Sequence, residues 1–182
     1  MLDFRDPAAF RAFITEHQDR VFNLVLKLVQ HVQDAEEITQ DVFVDVYRKP
    51  QAFRGDAAVT TWLYRIAMNK CIDHRRKVAG RRKRFLLFGA GTKQTDEAAH
   101  FVHPGAIAES KEKTTILFKA LQQLPVNQQM SWVLSEMEDM SYKQISEVMN
   151  VSVSAVESLL VRAKKNIKKI LSQLYDKQTR MD

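Results

Sequence analysis

The chain has 182 residues, room for one large or two small domains, and its 45% hydrophobic content with only 5 Gly and 4 Pro suits a helix-rich protein that can build real cores. A formal net charge of +6 favours an anionic partner, while a single cysteine excludes an internal disulfide framework and suits a cytoplasmic protein. No apolar run approaches the length of a membrane span, and Met1-Leu2-Asp3 opens with an acid, unlike a signal peptide, so no membrane insertion is expected.

Asp6-Pro7 reads as the N-cap and first residue of a helix. Phe10, Phe13, Ile14, Val21, Phe22, Leu24, Val25, Leu28 and Val29 give it a broad apolar face that ends near His31. Asp34 with Glu37 makes a capping-box pattern opening a second helix, which runs to about Lys49 and is stopped by Pro50. Ile38, Val42, Phe43 and Val46 form its inner stripe. Its sequence is acidic, with five acids and no Lys or Arg between Asp34 and Asp45.

A turn at Phe53-Arg54-Gly55-Asp56 leads into a third helix, from about Ala57 to Lys77. At 100° per residue, Leu63, Tyr64, Ala67, Met68 and Cys71 fill one arc, suitable for burial. Trp62, Arg65, Asn69, Ile72 and Arg76 fall on the opposite arc, and His74-Arg75-Arg76-Lys77 follows. These make a candidate nucleic-acid surface: the cations neutralise phosphates, Trp62 stacks on or wedges against a base, and Asn69 bonds a base edge. A plainer account also fits, with Trp62 in the core, Asn69 merely solvated, and the basic run at the negative end of the helix macrodipole.

From about Val78 to Ala108 the pattern breaks, with Gly80, Gly89, Gly91, Pro104, Gly105 and the run Arg81-Arg82-Lys83-Arg84. This stretch reads as a flexible linker, since it cannot bury enough surface to offset its chain entropy. His100 and His103 have no metal-ligand company within it. Between Arg65 and Arg84 there are nine basic residues against Asp73 alone. One acidic and two basic stretches, far apart in sequence, suggest two kinds of partner.

The second basic stretch lies in a C-terminal part that restarts with Ile116, Leu117, Ala120, Leu121 and Leu124 at helical spacing. Pro125 separates these from a helix bearing Met130, Val133, Leu134 and Met137. Ser141-Tyr142-Lys143-Gln144 is a capping box for a short helix with Ile145, Val148 and Met149. Asn150-Val151 supplies a turn, Ser152 caps again, and a long helix runs from Val153 toward Leu174, carrying five bases and no acid from Arg162 to Lys169. A short helix, a tight turn and a second helix with small polar residues at its start make a helix-turn-helix, whose second helix reads the major groove. Ser154, Ala155, Glu157 and Ser158 stand at that start, with Arg162, Lys164 and Lys165 further along to hold phosphates. Val156, Leu159, Leu160 and Ala163 are its packing side.

The run from Phe53-Arg54-Gly55 through Thr61-Trp62-Leu63-Tyr64-Arg65-Ile66-Ala67 to Asn69 resembles the promoter-melting part (regions 2.3 and 2.4) of the extracytoplasmic-function sigma factors of bacterial RNA polymerase. The segment from Leu121-Gln122-Gln123-Leu124-Pro125 through Met140-Ser141-Tyr142-Lys143-Gln144-Ile145 to Arg162-Ala163-Lys164 is similar to sigma region 4, and Asp34-Ala35-Glu36-Glu37-Ile38 with Gln40-Asp41-Val42-Phe43 to region 2.2. The resemblance departs at Asn150, where many members have Gly, and at Glu157 and Leu159, near which many are basic. It implies an all-α fold of two small helical domains joined by a flexible linker: a region 2-like domain over 1–78, the linker over 79–110 and a region 4-like domain over 111–182. It further implies that Asp34, Glu37, Gln40 and Asp41 dock on the coiled coil of the largest polymerase subunit. Trp62, Arg65, Asn69, Arg75, Arg76 and Lys77 would then take the minus-ten strand as it melts, and the helix-turn-helix the minus-thirty-five duplex. Other partners implied are the polymerase flap and an anti-sigma factor, with no cofactor.

Two other readings of the residues stand beside this one. A conventional helix-turn-helix regulator would bind duplex DNA without polymerase, leaving the acidic helix unexplained. An enzyme would use Asp34, Glu37 and Asp41, on one helical side, to hold a metal and a phosphate substrate, but no Gly-rich phosphate loop or nucleophile–base pair accompanies them.

Overall fold

A computed structural model describes residues 6–49, 58–88 and 108–178 of the chain. Among the described residues there are seven helices and no strand, in two compact units, Met1–Ala99 and His100–Asp182. The expected class, two small all-α domains, is the one found. The turn at Phe53-Arg54-Gly55-Asp56 and most of the expected linker, with His100 and His103, lie outside the described residues. No helix among the described residues is long and apolar enough to cross a membrane.

In the first unit, helix α1 (Pro7–Val29) opens as expected: Asp6 accepts a hydrogen bond from the Ala8 N–H at 2.9 Å, and Pro7 takes the first helical position, where its missing N–H costs nothing. It ends at Gln30, which is left-handed with φ 58°. Helix α2 (Val32–Arg48) then begins two residues before Asp34. The chain re-enters the helix directly after Gln30, leaving His31 extended and placed to cap: its Nδ1 accepts from the Asp34 N–H at 3.3 Å. The expected Asp34–Glu37 capping box is therefore replaced by a histidine cap, and Asp34 sits in the first turn, where its charge suits the helix dipole.

Helix α3 (Val59–Phe88) is 30 residues long and does not stop near Lys77. Gly80 costs a helix interior only about 1 kcal/mol, and the Arg/Lys run after it is a good helix former. The first part of the expected linker is thus helical. Val21, Leu24, Val25 and Leu28 of α1, Ile38, Val42 and Val46 of α2, and Leu63, Tyr64, Ala67, Met68 and Cys71 of α3 are buried where the three helices meet. Phe13 meets Phe43 edge-on at 6.4 Å between ring centroids, and Phe10 lies 5.0 Å from Tyr47, closing α1 onto α2.

The second unit comprises α4 (Ala108–Gln122), α5 (Val126–Glu136), α6 (Tyr142–Met149) and α7 (Val153–Gln178). Helix α4 starts two turns ahead of Ile116. Phe118, Leu121 and Leu124 pack against Ala163 and Ile167 of α7, with Trp132, Ile170 and Leu171 around them. Ile145, Val148, Val156 and Leu160 are buried between α6 and α7. A polar tie crosses this interior: Asn166 Nδ2 donates to Gln128 Oε1 at 2.8 Å, linking α7 to α5 over 38 residues of sequence.

Candidate nucleic-acid and protein interfaces

The acidic face of α2 is not left to solvent alone. Lys70 of α3 lies 2.8 Å from Asp45 and 3.9 Å from Asp41. Asp34 approaches His74 Nε2 at 3.5 Å, a pair that carries charge only when the histidine is protonated. Glu37, Gln40 and Asp41 remain exposed. The four residues singled out on this helix therefore present one surface, and two of them are steadied by α3. In the sequence Lys70 carries no assignment, and His74 is grouped with the basic run Arg75-Arg76-Lys77 rather than with α2. Their i, i+4 spacing opposite an acidic helix was the signal that could have found them. Among the described residues no three His, Cys, Asp or Glu side chains stand where they could hold a metal.

On α3 the exposed arc holds Arg65, Asn69 and Arg76, as expected, and Arg76 pairs with Asp73 at 3.6 Å. Trp62 does not join them: it is 8% exposed. The reason is that burial at the start of α3 is not one-sided. Thr61, Trp62, Leu63 and Tyr64 are all buried, a full helical turn, so the helix is enclosed there whatever the face. Arg20 of α1 reaches this point, donating from Nη1 to Thr60 Oγ1 at 3.4 Å. Arg75 also differs from Lys77, which is exposed: Arg75 is half-buried, and burial lowers its pKa from the ordinary guanidinium value, with Cys71 acting in the opposite direction.

The helix-turn-helix is built as its sequence predicts. Ser141 Oγ accepts from the Gln144 N–H at 3.3 Å, and Gln144 Oε1 accepts from the Ser141 N–H at 2.8 Å, closing the capping box. Asn150 takes the left-handed conformation, φ 54°, and the Val151 N–H returns to Ser146 O at 3.1 Å. Ser152 Oγ then accepts from the Ala155 N–H at 3.2 Å and lies 3.1 Å from Ser154 Oγ, so the Ser154 hydroxyl has a local partner.

Beyond that cap, Ser154, Glu157, Ser158, Arg162, Lys164 and Lys165 are exposed and Ala155 is half-buried. Arg162 Nε donates to Ser158 O at 3.0 Å, which lays its side chain along the helix. Lys164 lies 3.3 Å from Glu136 of α5. Val156, Leu160 and Ala163 pack inward as expected, and Leu159 does so only in part. Val161, which the sequence reading passed over, is 69% exposed on the row of Ser154, Ser158 and Lys165.

Sequence and structural comparisons meet this geometry domain by domain. The family model for sigma-70 region 2 matches residues 13–82, the three-helix unit, and that for sigma-70 region 4 matches residues 115–167, the helix-turn-helix unit. The RNA polymerase sigma-H factor of Pseudomonas aeruginosa is 32% identical over 179 residues, covering 93% of this chain and 89% of its own. The ECF RNA polymerase sigma-E factor of Escherichia coli K12 is 32% identical over 171 residues, covering 89% and 86%. Among solved structures, the sigma factor RpoE of Bartonella quintana, crystallised with the anti-sigma factor NepR, shares the fold with a TM-score of 0.68 at 20% identity, over 90% of this chain and 96% of that one. CnrH, solved with the cytosolic domain of CnrY, gives 0.64 at 20% identity, over 93% and 91%. With both domains matched in order and near-full-length relatives of one kind, the chain belongs to the extracytoplasmic-function sigma factors of the sigma-70 family.

Proposed function

We propose that this alternative sigma factor works by binding alone, in the cytoplasm, through three separate surfaces. Glu37, Gln40 and Asp41, with Asp34 behind them, dock on the coiled coil of the largest subunit of core RNA polymerase. Arg65, Asn69 and Arg76, with Arg75 and Lys77 alongside, take the minus-ten strand once it unpairs. Trp62 supports that face from within the domain. The start of α7 enters the major groove of the minus-thirty-five element, where Ser158 and Glu157 address base edges and Val161 offers an apolar contact for a thymine methyl. Arg162, Lys164 and Lys165 hold phosphates there and add affinity rather than sequence choice. The polymerase flap and an anti-sigma factor complete the partners that the family implies.

The observation that carries this reading is the division of charge and exposure between elements. The acids lie on α2, the exposed amide and guanidiniums on α3, and small polar side chains with a basic train on α7. Melting then follows from preferential binding of the opened strand. Extruding a base costs a few kcal/mol, which contacts made only in the open state must offset.

The test is core-dependent promoter opening. Protein and core polymerase are offered a randomised promoter pool, with run-off transcripts and unpaired bases as readouts. We expect transcription from a selected subset, lost with Asn69→Ala. Tight duplex binding by the protein alone, with no affinity for core, would replace this reading with a conventional regulator.

A further inference from the structure

The contact between α5 and α7 holds more than apolar side chains. Asn166 Nδ2 donates to Gln128 Oε1 at 2.8 Å, with Gln128 buried and Asn166 half-buried. Gln128 is itself held in place. Its N–H donates to Pro125 O at 2.9 Å, and its carbonyl accepts from the hydroxyl of buried Ser131 at 3.1 Å. Lys164, also on α7, lies 3.3 Å from Glu136 at the far end of α5. Val156, Leu160, Ala163 and Ile167 form the arc that α7 buries. At 100° per residue, Lys164 stands about 70° to one side of that arc and Asn166 about 90° to the other. Two polar ties thus flank one apolar seam.

Such ties control the roll of α7 about its own axis. Apolar burial is non-directional, so it restrains a small roll only weakly, whereas a hydrogen bond weakens steeply once its donor swings out of line. Side-chain tips ride about 5–6 Å from a helix axis, so a roll of about 10° moves a tip by about 1 Å. A hydrogen bond to a base edge does not survive that shift. The helix transmits the roll in full: α7 has no Gly or Pro to bend it, and Ser158 lies about 12 Å of axis before Asn166. The two ties are not equal. The Lys164–Glu136 pair is exposed, and Lys164 is among the residues assigned to phosphates, so bound DNA competes for it. The Gln128–Asn166 bond is neutral and shielded, and DNA does not compete for it.

We infer that Gln128 and Asn166 are positioning residues for promoter readout: their hydrogen bond fixes the roll of α7 on α5 and so aims Glu157 and Ser158 at the base edges of the minus-thirty-five duplex. The inference rests on the proposed entry of α7 into the major groove. Neither residue needs to touch DNA, since Gln128 is buried on α5 and Asn166 gives its amide to Gln128. The pair carries no charge, so it acts on sequence choice rather than on the phosphate contacts that supply affinity.

The experiment uses full-length protein bound to core polymerase and a fluorescent duplex carrying a minus-thirty-five element from the run-off selection, with copies in which one base pair is changed. The readouts are the affinity ratio between matched and changed duplexes, the log–log salt slope, and the thermal melt of the protein. A changed pair at a contacted position should weaken wild type about fivefold or more. Gln128→Leu/Asn166→Leu removes both polar groups together, and Asn166→Ala alters only the half-buried partner. For each we expect the ratio to fall about threefold or more with the salt slope unchanged. Gln128→Asn/Asn166→Gln keeps a donor, an acceptor and their combined length, and should recover most of the ratio. Adding Glu157→Ala/Ser158→Ala to the leucine pair should lower it little further, because the aim of those side chains is already lost. A lower melting temperature with the wild-type ratio kept, equal weakening on every duplex, or fully additive losses would overturn the inference and leave the pair a structural contact. If the leucine pair does not fold, the ratio of Asn166→Ala decides in the same way. Wild-type protein that does not distinguish the duplexes would end the groove reading of α7 and this inference with it. Discrimination that Glu157→Ala/Ser158→Ala abolishes and Asn166→Ala leaves intact would end this inference alone.

Discussion

Cys71 is 1% exposed on the inner arc of α3, and burial pushes its thiol pKa up to about 12 from 9.0, with Arg75 pulling weakly the other way. In the unfolded chain the thiol ionises from about pH 9 upward while the folded thiol keeps its proton, so above that pH the unfolded state binds fewer protons. The stability tied to this group is fully present below about pH 9 and is lost as pH rises toward 12. Urea unfolding between about pH 8 and 11 should therefore show wild type losing stability faster than Cys71→Ala, by up to about 1.4 kcal/mol per pH unit. Parallel curves for the two proteins would mean the thiol is not desolvated as the fold requires. Trp62 separates structure from function at the same scale. As a buried aromatic, its replacement by Ala should cost about 3–5 kcal/mol of unfolding free energy. Asn69→Ala, on the exposed arc, should stay within about 0.5 kcal/mol while abolishing strand capture. A Trp62→Ala protein of wild-type stability would return Trp62 to the DNA surface. Helical periodicity placed Asn69 correctly and Trp62 not, because the 100° rule locates a residue on a face and assumes that only one face is covered. From Thr61 to Tyr64 every face is covered.

Elements were legible wherever their ends are written in local chemistry. The α6–α7 hairpin is the clearest case, since Ser141, Gln144, Asn150 and Ser152 each make the contact that their type and spacing dictate. Its energetics can be tested by stability alone. Ser141→Ala should cost about 1 kcal/mol by removing the cap. Asn150→Val should cost about 1–2 kcal/mol, because a β-branched side chain resists the left-handed backbone, while Asn150→Gly should be neutral or slightly stabilising. Thermal melts of the three variants decide it, and a tolerated Asn150→Val would show that the turn does not need φ 54°. Two other helix ends were not legible. The start of α2 depends on where α1 releases the chain, so a histidine took the cap that Asp34 was expected to provide. The end of α3 was hidden by Gly80, which reads as punctuation but is only a modest penalty inside a run of good helix formers. The paired side chains of the α2–α3 interface were likewise out of reach: periodicity gives faces, and only packing decides which acid meets which base.

Across the whole molecule, charge is sorted by segment. The net charge of +6 describes neither end of the job: five acids with no base lie between Asp34 and Asp45, and five bases with no acid between Arg162 and Lys169. If these stretches serve different partners, their contributions to the final complex must be independent. Glu37→Gln with Asp41→Asn should weaken core binding roughly three- to tenfold, as expected for exposed ion pairs. The α2–α3 clasp should survive this change, because Lys70 keeps its 2.8 Å contact to Asp45. Arg162→Ala with Lys165→Ala should leave core affinity untouched, weaken duplex binding at every sequence, and make its salt slope shallower by about two. The two pairs share no hydrogen bond or ion-pair partner among the described residues and sit on separate compact units. In the four-fold variant their free-energy costs on promoter-complex formation should therefore add to within about 0.5 kcal/mol. A shortfall or excess beyond that margin would mean that the acidic and basic surfaces act on one partner, and the division of labour between α2 and α7 would have to be abandoned.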